Sequence, residues 1–472
     1  MSFEDVSSRA TALRQVVQLI QDASESLISS WENPAPDAVP ASETSFAIPG
    51  RKAYNAQRTI IAALGSIEEL VAEPHLRLVD FAELYFEVRA LHIAVEHDIA
   101  SLLAKGGVDG VPIEELAKKS GLEQSKLVRI LRVLTTQHIF RETAPGRYAN
   151  NRISQALADD ERLRAQAICS SMGYAASSAL PEALNDPIRG PSHEPQLAAW
   201  PLAMGTEATW FDWMNEKVPR SRAGEKASPG AARGSYKPVD NTSSDEELVP
   251  RHDAITYNMY LAGNSKSLGS PHLYDFPWGE LGDALVVDVG GGVGSFDLQL
   301  AQLYPELRFV VQDQVTAIEQ GISMWQEEFP EALASRRVQL LEHDFFKPNP
   351  IKEADIYWMR HVLHDWNDED SVKILLNTAE AMGPNSRLLV ADITLIETIG
   401  DPYIEAAPKP LLANYGVHSH HGFALDIAMM SLMNGRERTP SEFRKLFEQA
   451  GLEMVKLWDC RSILGIMECR KT

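Results

Sequence analysis

The chain has 472 residues, with 44 Lys and Arg against 66 Asp and Glu, which gives a formal charge of −22. Its 44% of hydrophobic residues can build a large core, so the composition excludes a wholly disordered protein. The acidic excess disfavours nucleic acids and anionic membranes as main partners, because both are bound through dense Lys and Arg. We therefore expect small-molecule or protein ligands.

Neither a disulfide framework nor a metal site is indicated. The three cysteines, Cys169, Cys460 and Cys469, are too few for a framework and lack the C-x-x-C spacing of metal sites. The first residues carry no basic patch followed by an apolar run, and we find no run of about 18 apolar residues. We therefore expect a soluble, cytoplasmic protein without a transmembrane helix.

The first 50 residues are predicted to form one helix and a linker. Apolar residues recur at helical spacing over 9–31, and residues 32–50 are rich in Pro and Ser. A second helix is predicted around 60–71 and a long third helix over 76–103. Stripes this apolar must be buried, either against the body of the protein or against a partner subunit.

Residues 51–160 are assigned to a winged-helix domain. Over 110–150, two short helical patterns precede a hairpin pattern around Pro145 and Gly146, which is typical of a winged helix-turn-helix. Such a domain can bind DNA, but seven Lys and Arg against four Glu over 110–148 is a modest surplus in an acidic chain. We therefore favour a scaffold or dimerisation role over nucleic-acid binding.

Residues 161–280 are predicted to be helical and rich in aromatic side chains. The aromatic residues are Tyr174, Trp200, Trp210, Phe211 and Trp213. They form either a helix core or the wall of a pocket for an aromatic ligand. Residues 220–251 lack apolar periodicity and are dense in Gly, Pro, Ser and charge. Because a structureless stretch of this length is uncommon inside a compact domain, we expect a disordered surface insertion.

Residues 281–472 alternate between strand and helix patterns. The strand patterns are continuous apolar runs, as in ALVVDVG, RFVVQDQ and SRLLVADITL, which is typical of strands buried on both faces. The alternation predicts an α/β fold with a mostly parallel sheet and helices on both faces. Two strand patterns joined by a short turn close the chain, so the last strand is expected to be antiparallel.

A glycine-rich turn follows the first of these strands, in the sequence DVGGGVG. Glycines at a strand-to-helix turn let a ligand approach the backbone at the carboxyl edge of a parallel sheet. The dinucleotide pattern G-x-G-x-x-G does not fit, because its sixth position is Ser295 when counted from Gly290 and Asp297 when counted from Gly292. The pattern D-x-G-x-G-x-G does fit, and it indicates S-adenosylmethionine as the ligand.

Acidic residues also follow the next two strands. Asp313 lies 19 residues beyond Gly294 (313 − 294), where a carboxylate can accept hydrogen bonds from both ribose hydroxyls. Asp344 and Phe345 follow the third strand, where they could contact the amino group and the face of an adenine. Taken alone, that pair favours ordinary loop packing over ligand binding. No residue pattern suggests a metal.

A histidine with acidic neighbours is the candidate catalytic centre. His364 follows the fourth strand and faces the same crevice as the glycine turn, and Asp392 ends the fifth strand at that edge. Glu437 lies in a loop before an amphipathic helix. Either carboxylate could hold the imidazole in one tautomer and leave its other nitrogen as a base. We expect His361 to point elsewhere and Asp365 to cap a helix.

The motifs DVGGGVG, HDFF, MRHVLHDWND and GRERT occur together and in this order. With the position of Asp313, they resemble the class I S-adenosylmethionine-dependent O-methyltransferases of the caffeic-acid type, especially fungal members that act on polyketides and other phenolic metabolites. The resemblance covers roughly residues 55–472 apart from the insertion. It implies a Rossmann-like methyltransferase sheet over 281–472, an N-terminal winged-helix dimerisation domain, and a homodimer.

By this resemblance, His364 is the general base, flanked by Asp392 and Glu437. The residues implied in cofactor binding are Gly290, Gly292, Asp313, Asp344, Phe345 and Arg360. Three features depart from the family: Lys is frequent where Arg360 stands, plant members have Glu where Asp392 stands, and the 220–251 insertion is unusual. An Arg in place of Lys could hold the cofactor differently, because the planar guanidinium donates several hydrogen bonds in fixed directions, whereas the Lys ammonium is a compact point charge.

Three functions are compatible with these features. The first is an O-methyltransferase that acts on a phenolic or enolic small molecule in secondary metabolism, with His364 taking the hydroxyl proton. The second is a pericyclase or dehydratase on the same fold, which binds S-adenosylmethionine without transferring its methyl group. The retained histidine weakens this alternative, whereas the insertion and Asp392 keep it open. The third is a winged-helix binding module or an inactive scaffold.

Overall fold

The computed structural model describes residues 3–41, 47–224, 246–268 and 270–472. The chain forms two compact units. We call them the sheet unit, which consists of Met1–Val71, Ser265–Met430 and Asn434–Thr472, and the helical unit, which consists of Ala72–Asn264 and Ser431–Met433.

Two N-terminal helices belong to the sheet unit, namely α1 (Phe3–Glu32) and α2 (Arg51–Val71). They pack against each other through small and branched side chains such as Leu27 of α1 and Ala53 of α2. The sequence had grouped α2 with the winged helix in residues 51–160. The predicted burial of its large apolar side chains is only partly correct, because Ile60 and Ile67 pack against core clusters, whereas Ile61, Leu64 and Val71 are at least 43% exposed.

The helical unit contains short strands among its helices. Its elements are α3 (Pro74–Glu96), α4 (Ile99–Ala104), β1 (Val111–Pro112), α5 (Ile113–Ser120), α6 (Gln124–Thr136), β2 (Phe140–Ala144), β3 (Arg147–Asn150), α7 (Arg152–Asp159), α8 (Glu161–Asn185), α9 (Ala199–Met204), α10 (Trp210–Asn215), β4 (Lys217–Pro219), β5 (Leu248–Pro250) and most of α11 (His252–Leu268). The single helix predicted over 76–103 is divided into α3 and α4, because Asp98 adopts a left-handed φ of 54°. Aspartate tolerates that conformation better than most residues.

The predicted winged helix is present in the helical unit. Helix α5 is closed by Gly121, whose φ of 73° gives a left-handed C-cap, and β2 pairs antiparallel with β3 across the turn at Gly146. Leu116, Leu127 and Leu131 are fully buried in the core of this domain. The helical periodicity of residues 110–150 therefore located the core side chains correctly.

Most of the predicted aromatic residues belong to the core of the helical unit. Trp200, Trp210 and Trp213 are each at most 3% exposed, and the Trp200 ring lies 5.6 Å from Trp210 and 5.9 Å from Trp213, edge to face. The Arg89 guanidinium lies over the Tyr174 ring, 3.5 Å from the centroid of that ring. The tryptophans therefore support the interpretation as a helix core.

The segment 220–251 is only partly covered by the structure, because residues 225–245 lie outside the described residues. The two ends of the segment are ordered, since Val218 of β4 pairs with Val249 of β5 in an antiparallel register. A 3₁₀ turn over Arg220–Arg222 follows β4 directly. The expected disorder therefore does not extend to the ends of the segment.

The remaining elements build the sheet unit. They are α12 (His272–Asp275), β6 (Leu285–Val289), α13 (Ser295–Leu303), β7 (Arg308–Asp313), α14 (Val315–Glu328), α15 (Pro330–Ala334), β8 (Val338–Glu342), β9 (Ile356–Arg360), α16 (Asp368–Ala381), β10 (Arg387–Ile393), α17 (His420–Met433, whose end belongs to the helical unit), α18 (Pro440–Gln449), β11 (Leu452–Trp458) and β12 (Leu464–Lys471). No helix among the described residues is both long and apolar enough to cross a membrane.

The seven strands of the sheet follow the order β11-β12-β10-β9-β6-β7-β8. Strand β12 is antiparallel to both neighbours, and the pairs from β10 to β8 are parallel. The mostly parallel α/β fold with its antiparallel last strand is therefore confirmed. The order reverses beside β6, which pairs with β7 on one edge and β9 on the other. Ligands of open α/β sheets bind outside the carboxyl ends of the strands at such a switch point.

Apolar side chains cover both faces of this sheet. On one face, Phe296 of α13 stacks on Trp358 of β9 with ring centroids 5.1 Å apart, and Trp325 of α14 completes the cluster. On the other face, Ile374 of α16 belongs to a cluster with Tyr357 of β9. Successive residues of one strand thus enter opposite cores, as the pleat requires.

A buried ion-pair group attaches the segment before α2 to the turn between β11 and β12. The Arg461 side chain is 3% exposed, and its Nη2 lies 2.7 Å from Asp275 Oδ1. Its Nη1 donates to the carbonyl oxygens of Asp37 and Pro49 at 2.6 and 2.9 Å. Arg51 adds an ion pair of 3.4 Å with Asp275. One arginine therefore links three separate segments of the sheet unit.

Replacing Arg461 by Gln is expected to lower the free energy of unfolding by about 3 kcal/mol, because removing one partner of a buried ion pair leaves the other charge poorly compensated. Urea unfolding measures this loss, and limited proteolysis over 32–50 detects release of the linker. The matched variant Arg470→Gln, at a side chain that is 53% exposed, should be close to neutral. Equal unfolding free energies in the two variants would contradict an anchoring role for Arg461.

Candidate active site

The glycine-rich turn joins β6 to α13 at the switch point of the sheet. Gly292 has a φ of 61°, and no atom lies within 4 Å of the position that a Cβ would occupy there. At Gly291 a Cβ would lie 2.5 Å from Asp288 Oδ2, and at Gly290 it would lie 3.0 Å from the Val362 side chain. The turn therefore packs against protein at Gly290 and Gly291 and is open at Gly292, where a ligand can approach the backbone.

Asp313 ends β7 and fixes the glycine turn. Its Oδ2 accepts the Gly292 amide at 2.8 Å, and its Oδ1 accepts the Gln314 amide at 2.7 Å. Each carboxylate oxygen has a further lone pair, so Asp313 can still accept hydrogen bonds from the hydroxyls of a ligand. The structure thus brings together two residues that were predicted from separate motifs.

A buried acidic pair lies behind the turn. Asp288 and Asp297 are 3% and 0% exposed, and the Arg360 guanidinium lies over the Phe296 ring, 4.8 Å from its centroid. Burial and the Asp297 carboxylate raise the pKa of Asp288 well above its usual range, and Arg360 opposes that shift. Both carboxyls therefore ionise less readily than an exposed aspartate, and the charge of Arg360 favours their ionised forms. The predicted contact of Arg360 with a cofactor stays a prediction.

Asp344 and Phe345 follow β8 at the same edge of the sheet. The Phe345 ring would lie 3.6 Å from a Cβ at Gly290, and it packs edge to face on Trp366 with centroids 5.9 Å apart. Asp344 Oδ1 accepts the amide of Phe346 at 3.0 Å. Phe345 is therefore a neighbour of the glycine turn, while the predicted contacts of Asp344 and Phe345 with an adenine stay predictions.

His364 lies in a 3₁₀ turn over Leu363–Asp365, shortly after β9. Its side chain is 14% exposed, and its Nδ1 lies 3.0 Å from Oε1 of Glu437, whose side chain is fully buried. Because a carboxylate only accepts, Nδ1 is the donor of this bond. Of the two carboxylates expected to hold the imidazole, Glu437 makes the contact. The Nε2 atom remains available for proton transfer.

Three carboxylates surround the His364 imidazole. Besides Glu437 at Nδ1, Asp365 places Oδ1 at 3.7 Å from Nε2, and Asp392 acts through its charge. Burial of the ring favours the neutral form, but Asp365, Glu437 and Asp392 outweigh burial and raise the pKa of His364 to about 10. The protein alone therefore holds an imidazolium at neutral pH.

Asp392 influences His364 without a direct hydrogen bond. Its side chain is fully buried, and neither oxygen has a hydrogen-bond partner of normal geometry in the part of the chain that the structure describes. Burial raises the pKa of Asp392, while the charges of His364 and Arg438 oppose that shift. An ionised carboxylate in this position is costly and needs a nearby positive charge.

Two expectations about the neighbours of His364 are wrong. The His361 ring lies 5.3 Å from the His364 ring instead of pointing elsewhere, because a φ of 55° at His361 redirects the chain. Burial, with the charge of His364, lowers the pKa of His361 well below its usual value, so this ring is neutral. Asp365 caps no helix: the N-cap of α16 is Asn367, whose side chain accepts the Asp370 amide at 2.9 Å.

The sequence analysis missed Arg438, which is fully buried next to Glu437. Its Nη1 donates to the Leu363 carbonyl and its Nη2 donates to the Trp366 carbonyl, both at 2.7 Å. These two carbonyls flank His364 in the chain. The available signal was an arginine directly after a candidate site residue, in the stretch GRERT, which periodicity alone could not distinguish from a surface charge.

Comparison with known proteins agrees with this geometry. Residues 79–160 match the O-methyltransferase dimerisation domain, and residues 273–453 match the O-methyltransferase domain. The O-methyltransferase tpcA of Aspergillus fumigatus is 43% identical over 463 residues, which cover 97% of this chain and 96% of the relative.

Two solved structures share the fold at a TM-score of 0.64. One is described as a pericyclic reaction enzyme, is 18% identical and covers 100% of both chains. The other is LepI in complex with SAM, which is 19% identical and covers 98% of this chain and 100% of its own. With the two matched domains and a relative of 43% identity over nearly the whole length, the chain belongs to the O-methyltransferases, the enzymes whose methyl donor is S-adenosylmethionine.

Proposed function

We propose that this chain transfers a methyl group from S-adenosylmethionine to a hydroxyl of a phenolic or polyketide-type small molecule. The observation that carries the proposal is the His364 ring, whose Nδ1 is held by buried Glu437 in a segment that contacts the glycine turn through Val362. A held imidazole with one free nitrogen is suited to remove a hydroxyl proton. The phenolic class rests on the resemblance to fungal members of the family.

The residues at the sheet edge fit this cofactor. The open space at Gly292 accommodates a ligand against the backbone, and Asp313 retains lone pairs for two ribose hydroxyls. When bound, S-adenosylmethionine supplies a methyl group that its sulfonium centre activates for displacement. The unpaired carboxylate of Asp392 complements a positive charge at this edge.

In the proposed mechanism, His364 takes the proton of the acceptor hydroxyl. A phenol with a pKa near 10 is mostly protonated at neutral pH, so its oxygen must lose a proton during attack. Nε2 of His364 accepts that proton, and Glu437 holds the ring at Nδ1 and stabilises the imidazolium that results. Alignment of the reacting groups and exclusion of water supply further acceleration.

The base must first be neutral, although the three carboxylates favour the imidazolium. A cation near the cluster opposes a second positive charge and lowers the pKa of His364. Cofactor binding therefore prepares the base for its role. This order of events follows from charge alone and needs no movement of the chain.

We propose that the protein is a homodimer through its helical unit. The first half of α3 is exposed around the helix and carries large apolar side chains, each at least 45% exposed: Leu76, Leu78, Val79, Phe81, Tyr85 and Phe86. Several large apolar side chains exposed together in this way mark an interaction surface. It includes the start of the matched dimerisation domain at residue 79.

A second candidate function is a dehydration or pericyclic step without methyl transfer. The specific observation in its favour is the carboxylate cluster around His364, because an imidazolium can protonate a leaving hydroxyl. The fold shared with a pericyclic reaction enzyme is compatible with this function. The 43% identity with an O-methyltransferase favours methyl transfer.

The first experiment supplies methyl-labelled S-adenosylmethionine and a panel of phenols to the wild-type protein and to His364→Ala. Label should enter a product, and the variant should bind the cofactor normally but turn over about 100-fold more slowly or worse, because general-base catalysis typically contributes at least that factor. A dehydrated or rearranged product with unconsumed cofactor would support the second candidate. Wild-type turnover in the variant would remove His364 from its proposed role.

Variants at two neighbouring glycines distinguish an effect on cofactor binding from an effect on folding stability. Gly292→Ala is expected to weaken cofactor binding about tenfold or more, because its Cβ enters the ligand space and the positive φ costs about 1 kcal/mol. Gly291→Ala places a Cβ 2.5 Å from Asp288 Oδ2 and should mainly lower the melting temperature. Calorimetric titration and thermal unfolding measure the two effects. The opposite pattern would contradict a cofactor at Gly292.

The rate should depend on pH through His364. At saturating cofactor, kcat/KM should rise with pH as the imidazolium loses its proton. Asp365→Asn removes a charge that raises the pKa of His364, so the rising limb should move to lower pH by about one unit. The same acceptor is used with every variant, so the ionisation of the acceptor does not differ between the measurements. The control Glu369→Gln, at an 82% exposed side chain, should leave the limb in place. If the rising part of the kcat/KM profile moved to higher pH in Asp365→Asn, His364 would not be the group that titrates.

A further inference from the structure

Arg438 forms a fork around the turn that carries His364. Its Nη1 donates to the Leu363 carbonyl and its Nη2 to the Trp366 carbonyl, each at 2.7 Å. Its Nε and Nη2 donate to Asp368 Oδ1 at 3.0 and 2.9 Å. The guanidinium thus binds both sides of the turn and the first residue of α16, while its own side chain is fully buried.

The backbone of the same residue is tied to β10. The Arg438 carbonyl accepts the Leu395 amide at 3.0 Å, and Arg438 forms an isolated parallel bridge with Thr394. Thr394 follows Asp392 by two positions, and Glu437 directly precedes Arg438. Two residues before Arg438, the Arg436 amide donates to the His364 carbonyl at 3.3 Å.

The consequence is that one residue connects all three segments of the cluster. The side chain of Arg438 holds the turn with His364, its backbone continues from Glu437, and its carbonyl is paired with the extension of the strand that ends near Asp392. A shift of any of these segments would change the contact between Glu437 and His364. Displacements of about 1 Å at a catalytic group can cost about 100-fold in rate.

Burying an arginine costs free energy, because its charged group loses its hydration. The guanidinium reaches the two carbonyls and the Asp368 carboxylate at once, which a smaller neutral donor could not do. The charge has a second effect, since burial raises the pKa of Asp392 and the charges of His364 and Arg438 oppose that rise. Both effects act on the same catalytic ring.

We propose that Arg438 is a positioning residue, which sets the contact between the His364 imidazole and the Glu437 carboxylate. This inference rests on the proposed function, in which His364 moves the acceptor proton. Asp365, Asp392, Glu437 and His361 are the other titratable groups that face the ring. Arg438 itself touches neither the ring nor the space at the glycine turn in the contacts described above, so it acts through the other residues.

The test compares Arg438→Gln, Arg438→Lys and the control Arg461→Gln in the full chain. Arg461 is also a buried, ion-paired arginine of the sheet unit, but its partners are Asp275 and the Asp37 and Pro49 carbonyls. For each variant we would measure melting temperature, cofactor affinity, kcat/KM against pH, and the titration of the His364 ring by NMR, assigned with His364→Ala.

The expected result separates positioning from folding. In Arg438→Gln, kcat should fall about 100-fold with unchanged cofactor affinity, and His364 should titrate at lower pH because it loses the Glu437 bond. Arg461→Gln should lower the melting temperature and leave the His364 titration unchanged. An unaltered titration and kcat in folded Arg438→Gln, or the same shift in Arg461→Gln, would overturn the proposal.

If Arg438→Gln fails to fold, Arg438→Lys still tests whether the guanidinium fork positions His364. A lysine retains the positive charge but cannot bind both carbonyls as a fork, so kcat should fall and the His364 titration should move to lower pH, as in Arg438→Gln. Wild-type kcat in Arg438→Lys would refute positioning by the fork. The NMR titrations also hold without turnover, so absence of methyl transfer in the wild type would refute the proposed function and leave the inference about Arg438 to be decided by the titrations.

Discussion

The proposed catalytic edge of this protein depends on one buried imidazole that compensates three carboxylates. Glu437 contacts the ring directly, whereas Asp392 acts through its charge alone and has no partner of normal geometry among the described residues. Buried carboxylates are tolerated only when a positive charge is close, because the loss of hydration is otherwise uncompensated. The imidazolium supplies that charge in the isolated chain, and a bound sulfonium would supply it during turnover.

The same requirement for charge balance applies behind the glycine turn. Asp288 and Asp297 are buried together, and they share this region with the Arg360 guanidinium. The two systems differ in the group that shifts, since burial raises the pKa values of the two carboxyls of the pair, whereas neighbouring carboxylates raise the pKa of the His364 imidazole. The first is suited to hold the turn in a fixed shape, and the second is suited to chemistry.

The sequence predicted the parts of the site that the sheet itself positions. The glycine turn and Asp313 meet because the carboxyl ends of parallel strands share one edge, and their contact follows from strand order. Arg438 and the contact of Asp365 with His364 could not be predicted in the same way. They depend on an irregular chain after β9, where a φ of 55° at His361 decides which side chains converge, and no periodicity encodes that angle.

The location of one proton distinguishes the two candidate chemistries on this fold. A base needs neutral His364 when the acceptor is bound, and an acid needs the imidazolium. The carboxylates favour the imidazolium, and under the proposed function a positive charge beside the ring would favour the neutral form. Without such a charge the same ring would act as an acid. The charge beside the imidazole would therefore decide, together with the histidine itself, which of the two proposed reactions the site supports.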